Sequence, residues 1–154
     1  MDTDLESQPL LEAISGTGLG EHQPTVLLVE DDENTLFAIE KLLTRAGYLV
    51  LTAGSGHDAI CLLEQPLSPI DVVVLDVRLP DVQGAAIGAR MRELKPGLPI
   101  VVCSGEAGLD EVAALVRLGR VRYFRKPVRA DELLAAVDLE GMSSTPSGNQ
   151  AGPA

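Results

Sequence analysis

The feature of this chain that most limits its fold is a set of five short apolar runs spread along its middle. Runs of about four residues, bounded by polar segments, predict β-strands and not helices. The five predicted strands are Val26–Val29, Leu49–Thr52, Val72–Leu75, Ile100–Cys103 and Val121–Phe124.

The segments between these runs predict helices, because their apolar residues recur at three- and four-residue spacing. The clearest is Thr35–Ala46, which we expect Gly47 to end and in which Asn34 caps the first turn. The other helices are expected near Asp58–Glu64, where Asp58 is the predicted cap, and near Gly84–Leu94, Leu109–Leu118 and Asp131–Asp138. Strands that are apolar on both faces and alternate with helices indicate a parallel sheet covered on each side. The sequence therefore predicts a five-stranded, doubly wound α/β fold.

The length and the two ends of the chain indicate one domain. With 154 residues, of which 45% are hydrophobic, the chain can bury one core but is too short for two ordinary domains. Residues 1–23 hold five acids and no Lys or Arg, and residues 141–154 are mostly Gly, Ser, Pro and small polar residues. We expect flexible tails at both ends and a folded domain over residues 24–140.

Charge and hydropathy exclude several classes of protein. A net charge of -11 disfavours direct binding to nucleic acid, which depends on Lys and Arg displacing counterions. No apolar segment approaches the roughly 20 residues that cross a bilayer, so we expect a cytoplasmic protein without a membrane contact. Cys61 and Cys103 lack the paired spacing of a zinc or redox motif, and both are predicted to be reduced core residues.

Polar residues follow four of the five predicted strands. Glu30, Asp31 and Asp32 come after the first, Asp76 after the third, Ser104 after the fourth, and Lys126 with Pro127 after the fifth. Function in such sheets lies beyond the carboxyl ends of the strands, so we expect these side chains to share one pocket.

The chemistry of that pocket follows from its residue types. Clustered carboxylates repel each other unless a divalent cation intervenes, and hard oxygen ligands favour Mg²⁺, with Mn²⁺ as a substitute. Asp76 is the natural nucleophile for a phosphoryl group, with Lys126 supplying an ammonium and Ser104 a hydroxyl. Taken singly, acids after strands often cap helices. The four positions together favour the functional interpretation.

Four motifs resemble the receiver domain of bacterial response regulators, as in chemotaxis regulators. They are VLLVEDD at 26–32, DVVVLDVRLPDVQG at 71–84, VVCS at 101–104 and YFRKP at 123–127. The resemblance spans about Pro24 to Asp138. It implies a flavodoxin-like sheet with strand order 2-1-3-4-5, and a two-component signalling role rather than a turnover enzyme. The expected activity is self-phosphorylation on Asp76, followed by autodephosphorylation.

The resemblance also implies the roles of single residues. Glu30 and Asp31 are the acidic metal pair, and the backbone carbonyl of Arg78 completes the site together with Asp76. The phosphoryl donor is a histidine kinase or a phosphotransfer protein. Asp32 falls outside the metal pair and is expected to help start the first helix.

The implied switch lies behind the phosphate. Ser104 moves to bond it, and Tyr123 turns inward, which alters the face formed by helix 4, strand 5 and helix 5 and so engages a downstream protein. The peptide bond before Pro127 is expected to be cis. Whether phosphorylation produces a dimer is left open.

Two positions at the pocket mouth, Arg78 and Glu106, are candidates for setting the lifetime of the phosphate. We hypothesise that they pair and hinder the attacking water. Because only a Gly/Ser/Pro-rich stretch follows Glu140 in this sequence, we expect output through contacts of the receiver itself.

Three other functions remain to be weighed. A receiver fragment of a hybrid histidine kinase, or a phosphorelay shuttle, would use identical chemistry and differ in its partner. A haloacid-dehalogenase-like phosphatase would need a second Asp two residues after the nucleophile, where this chain has Arg78. A nucleotide- or flavin-binding module would need a Gly-rich loop after the first strand, where this chain has three acids.

Overall fold

The computed structural model describes residues 23–105 and 108–143. They form five parallel strands in the order β2-β1-β3-β4-β5, with five helices, so the predicted fold is confirmed. The strands are β1 (Thr25–Val29), β2 (Leu49–Ala53), β3 (Ile70–Leu75), β4 (Ile100–Ser104) and β5 (Val121–Arg125). The helices are α1 (Glu33–Arg45), α2 (Gly56–Leu63), α3 (Gly84–Leu94), α4 (Leu109–Val116) and α5 (Ala130–Ser143).

Two apolar layers, one on each face of the sheet, form the core. Alternate residues of each central strand enter opposite layers, as Leu27 and Leu28 of β1 do. One layer joins the sheet to α2, α3 and α4 through side chains such as Met91, and the other joins it to α1 and α5 through side chains such as Leu43. Full burial of a side chain of this size stabilises the fold by about 1.5–3 kcal/mol. The central strands are therefore apolar on both faces, as the sequence indicates.

Several local predictions were wrong or shifted. The caps of the first two helices are Asp32 and Ser55, whose side chains accept from main-chain N–H groups three residues later, and not Asn34 and Asp58. Cys103 is buried as expected, but Cys61 is exposed on α2. The predicted tails lie outside the described residues, apart from Gln23 and the start of the C-terminal one, which α5 occupies as far as Ser143.

The connection after α1 follows the prediction. Ala46 is the C-cap of α1. Gly47 follows with a φ of 103°, a conformation that costs glycine little because it has no Cβ. The chain then turns directly into β2, which pairs with β1 and places Ala53 beside Val29. The carboxyl ends of these strands consequently lie at the same edge of the sheet.

Candidate functional site

The register of the sheet brings the acids after β1 and β3 side by side. Val29 is the Cα partner of Leu75, and the Asp76 N–H donates to the Val29 carbonyl over 3.0 Å. Glu30 and Asp76 therefore leave neighbouring strands at the same level, although they are far apart in sequence. This geometry is a direct product of parallel pairing between β1 and β3.

Three carboxylates meet at this edge. Glu30, Asp31 and Asp76 each offer an oxygen atom, and these atoms all lie within 4.8 Å of one another. Glu30 and Asp76 are only 3% and 7% exposed, whereas Asp31 faces solvent. An octahedral Mg²⁺ with ligands at about 2.0–2.1 Å holds opposite ligands roughly 4 Å apart, so small side-chain movements suffice for all three to bind it. The oxygen-only donor set fits Mg²⁺ or Mn²⁺.

Lys126, at the end of β5, completes the cluster. Its Nζ donates to Glu30 Oε1 over 2.8 Å and lies 3.4 Å from Asp76 Oδ2. Burial lowers the pKa of this ammonium, but the hydrogen bond to Glu30 and the charges of both carboxylates outweigh burial and raise it overall. Lys126 is therefore a fixed positive charge beside the reactive edge. The Lys126–Pro127 peptide bond is cis.

Burial is also the main influence on the pKa of Glu30. It raises the pKa of the Glu30 carboxyl, the hydrogen bond from Lys126 partly offsets it, and repulsion from Asp76 adds to it. The second oxygen, Oε2, accepts from the Asp32 N–H over 3.2 Å. Both oxygens of Glu30 are thus held in place within the protein, which fixes the side chain for binding a cation.

The main chain after β3 orients Asp76. The Arg78 N–H donates to Asp76 Oδ1 over 3.0 Å, so one carboxylate oxygen points toward this loop and the other toward Lys126. Arg78 also forms an antiparallel bridge with Gln83, which closes the loop between β3 and α3. The Arg78 side chain is exposed. Its predicted partner Glu106 lies outside the described residues.

The two hydroxyl-bearing positions lie on β4 and β5. Ser104 is fully buried at the end of β4, and the Tyr123 hydroxyl donates to the Ser104 carbonyl over 3.4 Å. Tyr123 itself is half-buried on β5 and packs against the apolar layer that contains α4. The two predicted switch residues are therefore in contact, through the main chain of Ser104.

A cavity of about 570 Å³ opens above the carboxylates. The predicted residues that line it are Glu30, Asp31, Asp76, Arg78 and Lys126, together with Asp32, Thr35, Leu79, Pro80 and Gly105. Asp32 turns away from the cluster, because its carboxylate accepts from the N–H and the hydroxyl of Thr35 over 2.9 and 2.6 Å. Sequence reasoning missed Thr35. Its position three residues after an acid, as in a helix cap, was the available signal.

Comparison with known proteins agrees with this geometry. The family model described as "Response regulator receiver domain" matches residues 26–138. The chain belongs to the response regulator receiver domain family. Receiver domains of response regulators are generally regulatory rather than turnover enzymes, and response regulators act with histidine kinases and downstream targets.

Three curated relatives are longer than the region that they share with this chain. The chain is 30% identical over 127 residues to the transcriptional regulatory protein GlrR of Escherichia coli, a match over 82% of this chain and 28% of that protein. It is 32% identical to the probable transcriptional regulatory protein TcrX of Mycobacterium tuberculosis, over 83% and 56%. The cell cycle response regulator CtrA of Brucella ovis is 34% identical, over 73% and 47%. The receiver thus spans between about a quarter and about half of these relatives.

Solved structures show the same fold. A response regulator receiver protein from Sinorhizobium medicae superposes with a TM-score of 0.72 at 32% identity, covering 80% of this chain and 98% of that one. A CheY-like receiver domain protein from Methanospirillum hungatei gives a TM-score of 0.76 at 24% identity, covering 82% of this chain and 100% of that one.

Among the described residues of this receiver, none of the helices has the length and apolar character needed to span a membrane.

Proposed function

We propose that this receiver domain accepts a phosphoryl group on Asp76 from a histidine kinase or a phosphotransfer protein. The observation that carries the proposal is the meeting of three carboxylates and one ammonium at one sheet edge, with Lys126 within 3.4 Å of Asp76. Glu30, Asp31 and Asp76, with the main-chain carbonyl of Arg78, would hold Mg²⁺ or Mn²⁺. When bound, the cation supplies positive charge that neutralises the carboxylates and the phosphate oxygens.

The residues of the chain have separate tasks in this transfer. One oxygen of Asp76 attacks phosphorus, the P–N bond of the donor phosphohistidine breaks, and the electron pair of that bond leaves with the imidazole. The Arg78 N–H orients the Asp76 carboxylate through a hydrogen bond of 3.0 Å. Lys126, whose pKa is raised by Glu30 and Asp76 despite burial, stays protonated and holds a phosphate oxygen. Water later hydrolyses the acyl phosphate, which releases inorganic phosphate and regenerates the Asp76 carboxylate.

The output of the domain would follow from the contact behind the site. The Ser104 hydroxyl bonds the new phosphate. Because the Tyr123 hydroxyl donates to the main-chain carbonyl of Ser104, a movement of Ser104 also moves the Tyr123 side chain. Tyr123 packs in the same layer as Leu115 of α4, so its movement alters the face formed by α4, β5 and α5. This face then binds a downstream protein. A net charge of -11 favours a protein over DNA as the direct partner.

The lifetime of the phosphate is assigned to Arg78 and Glu106. Arg78 lines the mouth of the cavity, where a long side chain hinders access of water to the phosphate. Replacing both residues with Ala should shorten the half-life of the acyl phosphate, as measured by loss of the phosphorylated mass over time. An unchanged half-life would contradict this assignment.

The competing functions differ in testable ways. A phosphatase of the haloacid-dehalogenase type needs an acid where this chain has Arg78, and the family match disfavours it. A hybrid-kinase fragment or a phosphorelay shuttle shares the chemistry at Asp76. Transfer of the phosphoryl group onward to a histidine protein would identify a shuttle.

Phosphorylation by a small donor tests the proposal. Incubation with acetyl phosphate and Mg²⁺ should add the mass of one phosphoryl group to the wild type and none to Asp76→Asn, and chelation of Mg²⁺ should abolish the change. Asp71→Asn is the matched control. Asp71 lies on the same strand but at its other end, where Oδ2 accepts from the Thr25 N–H over 2.8 Å. Equal phosphorylation of the wild type and Asp76→Asn would overturn the proposal.

A further inference from the structure

The loop between β3 and α3 carries the residue that orients the phosphoacceptor. Asp76 begins it, Arg78 donates to Asp76 over 3.0 Å, and a bridge between Arg78 and Gln83 closes it. Residues 79–82 therefore form the tip of a short closed loop. The position of the Arg78 main chain depends on what holds this tip.

Asp81 anchors the tip to the start of α2. Its Oδ1 accepts from the Gly56 N–H and its Oδ2 from the His57 N–H, each over 2.9 Å. These donors belong to the first turn of α2, where N–H groups have no intrahelical acceptor and the helix dipole favours a negative charge. The two bonds, from Gly56 first and His57 next, lower the pKa of the Asp81 carboxyl. With both oxygens occupied, the side chain is fixed in position and in orientation.

Close packing on both sides of the loop supports this anchor. A Cβ on Gly56 would lie 2.8 Å from the Ile87 side chain and 3.2 Å from that of Val82, so α2 packs closely against the loop and α3 at this position. A Cβ on Gly84 would lie 2.3 Å from the Cβ of Val77, the residue after Asp76. The loop is thus pressed against α2 at its tip and against α3 at its base.

The anchor joins parts of the fold that the sheet does not join directly. β2, which leads into α2, and β3, which leads into the loop, lie on opposite sides of β1. The Asp81 carboxylate is a direct polar link between the segments that follow them, and it spans 25 positions in sequence. The hydrogen bond between Lys126 and Glu30 does not involve this link.

We propose that Asp81 is a positioning residue, which holds the β3–α3 loop on the N-terminus of α2 and thereby sets the main chain of Arg78 for cation binding beside Asp76. This inference rests on the proposed function, because it assigns a role to that same site. Residues that orient metal ligands without touching the metal typically change metal affinity by roughly 10- to 100-fold when they are replaced. Asp81→Ala should therefore weaken Mg²⁺ binding by roughly 10-fold.

The matched control is Ser55→Ala. Ser55 caps the same helix, since its hydroxyl accepts from the Asp58 N–H over 3.1 Å, but it is not part of the β3–α3 loop. Both substitutions remove a cap from α2, and only Asp81→Ala also releases the loop. Asp81→Asn is the second variant, because an amide retains one acceptor and should give an intermediate affinity.

The experiment is a calorimetric Mg²⁺ titration of the full chain, with thermal unfolding of each variant in chelator. We expect the wild type and Ser55→Ala to bind Mg²⁺ alike, and Asp81→Ala to bind roughly 10-fold more weakly. Equal affinities for Asp81→Ala and the wild type, or equal losses in Asp81→Ala and Ser55→Ala, would overturn the inference and leave the proposed function intact. A wild type that binds no Mg²⁺ would overturn both.

Discussion

Lys126 and Glu30 form a hydrogen-bonded ion pair of 2.8 Å across 96 positions of sequence. The Glu30 side chain is 3% exposed and that of Lys126 28% exposed, so the pair is more buried than an ordinary surface salt bridge. The same ammonium lies 3.4 Å from Asp76. One cation therefore compensates two carboxylates at the edge of the sheet.

Removing the Lys126 ammonium should destabilise the domain. In Lys126→Met the two buried carboxylates lose their partner, and a cost of roughly 1–3 kcal/mol is expected, between those of exposed and fully buried pairs. Urea unfolding of each variant in the presence of a chelator measures the free energy of unfolding. In the Lys126→Met background, Glu30→Gln should recover part of the loss, because it removes one unpaired charge. A Lys126→Met variant as stable as the wild type would show that the pair has no net energetic role.

Mg²⁺ should stabilise the folded chain through Asp31. A ligand that binds the folded state at 100 times its Kd adds about 2.7 kcal/mol to the free energy of unfolding. Asp31→Asn should reduce this gain, since it removes one of the three clustered carboxylates. Asp32→Asn is the control, because Asp32 binds Thr35 and an amide can also cap α1. If Mg²⁺ stabilised Asp31→Asn as much as the wild type but stabilised Asp32→Asn less, Asp32 and not Asp31 would be the metal ligand.

The two tyrosines should report differently on activation. Tyr123 is bonded to the Ser104 carbonyl, whereas Tyr48 donates to Asp138 over 2.6 Å in the opposite core layer. Beryllium fluoride with Mg²⁺ should shift the ring resonances of Tyr123 and leave those of Tyr48 nearly unchanged. Tyr48→Phe assigns the signals. If Ser104→Ala gives the same Tyr123 shift as the wild type, the proposed coupling through Ser104 is wrong.

The two cysteines should differ in reactivity. Cys61 is exposed, while Cys103 is 3% exposed and burial raises the pKa of its thiol to about 12. The thiolate is the reactive form, so at pH 8 the folded chain should take up one maleimide group, and the unfolded chain in urea should take up two. Intact mass distinguishes these states. Rapid native labelling of Cys103 would contradict the buried position of β4.

The strands and the site could be predicted because their signals are local. Each apolar run marks a strand, and a polar residue directly after it marks the edge of the sheet where the candidate site lies. The positions of helix caps were less certain, because Asp32 and Asn34 are both good capping residues and only the bond to Thr35 distinguishes them. The choice between Ser55 and Asp58 had the same difficulty.

Other features depended on tertiary packing that no local pattern encodes. Cys61 was predicted to be buried because it lies in an apolar stretch, but the way α2 rests on the sheet turns it outward. The sequence around Asp81 carries no local signal for its contacts. Its partners Gly56 and His57 precede it by about two dozen positions and meet it only in the folded chain.

Chemical mapping of the phosphorylated residue tests directly whether Asp76 is the phosphoacceptor. Reduction of the acetyl-phosphate-treated protein with borohydride converts an acyl phosphate to an alcohol, and peptide mass spectrometry then locates the change. A single reduced residue is expected at Asp76, present with Mg²⁺ and lost when Mg²⁺ is chelated. A reduced residue at Asp31, Asp32 or Asp71 in place of Asp76, or none at all, would contradict this assignment.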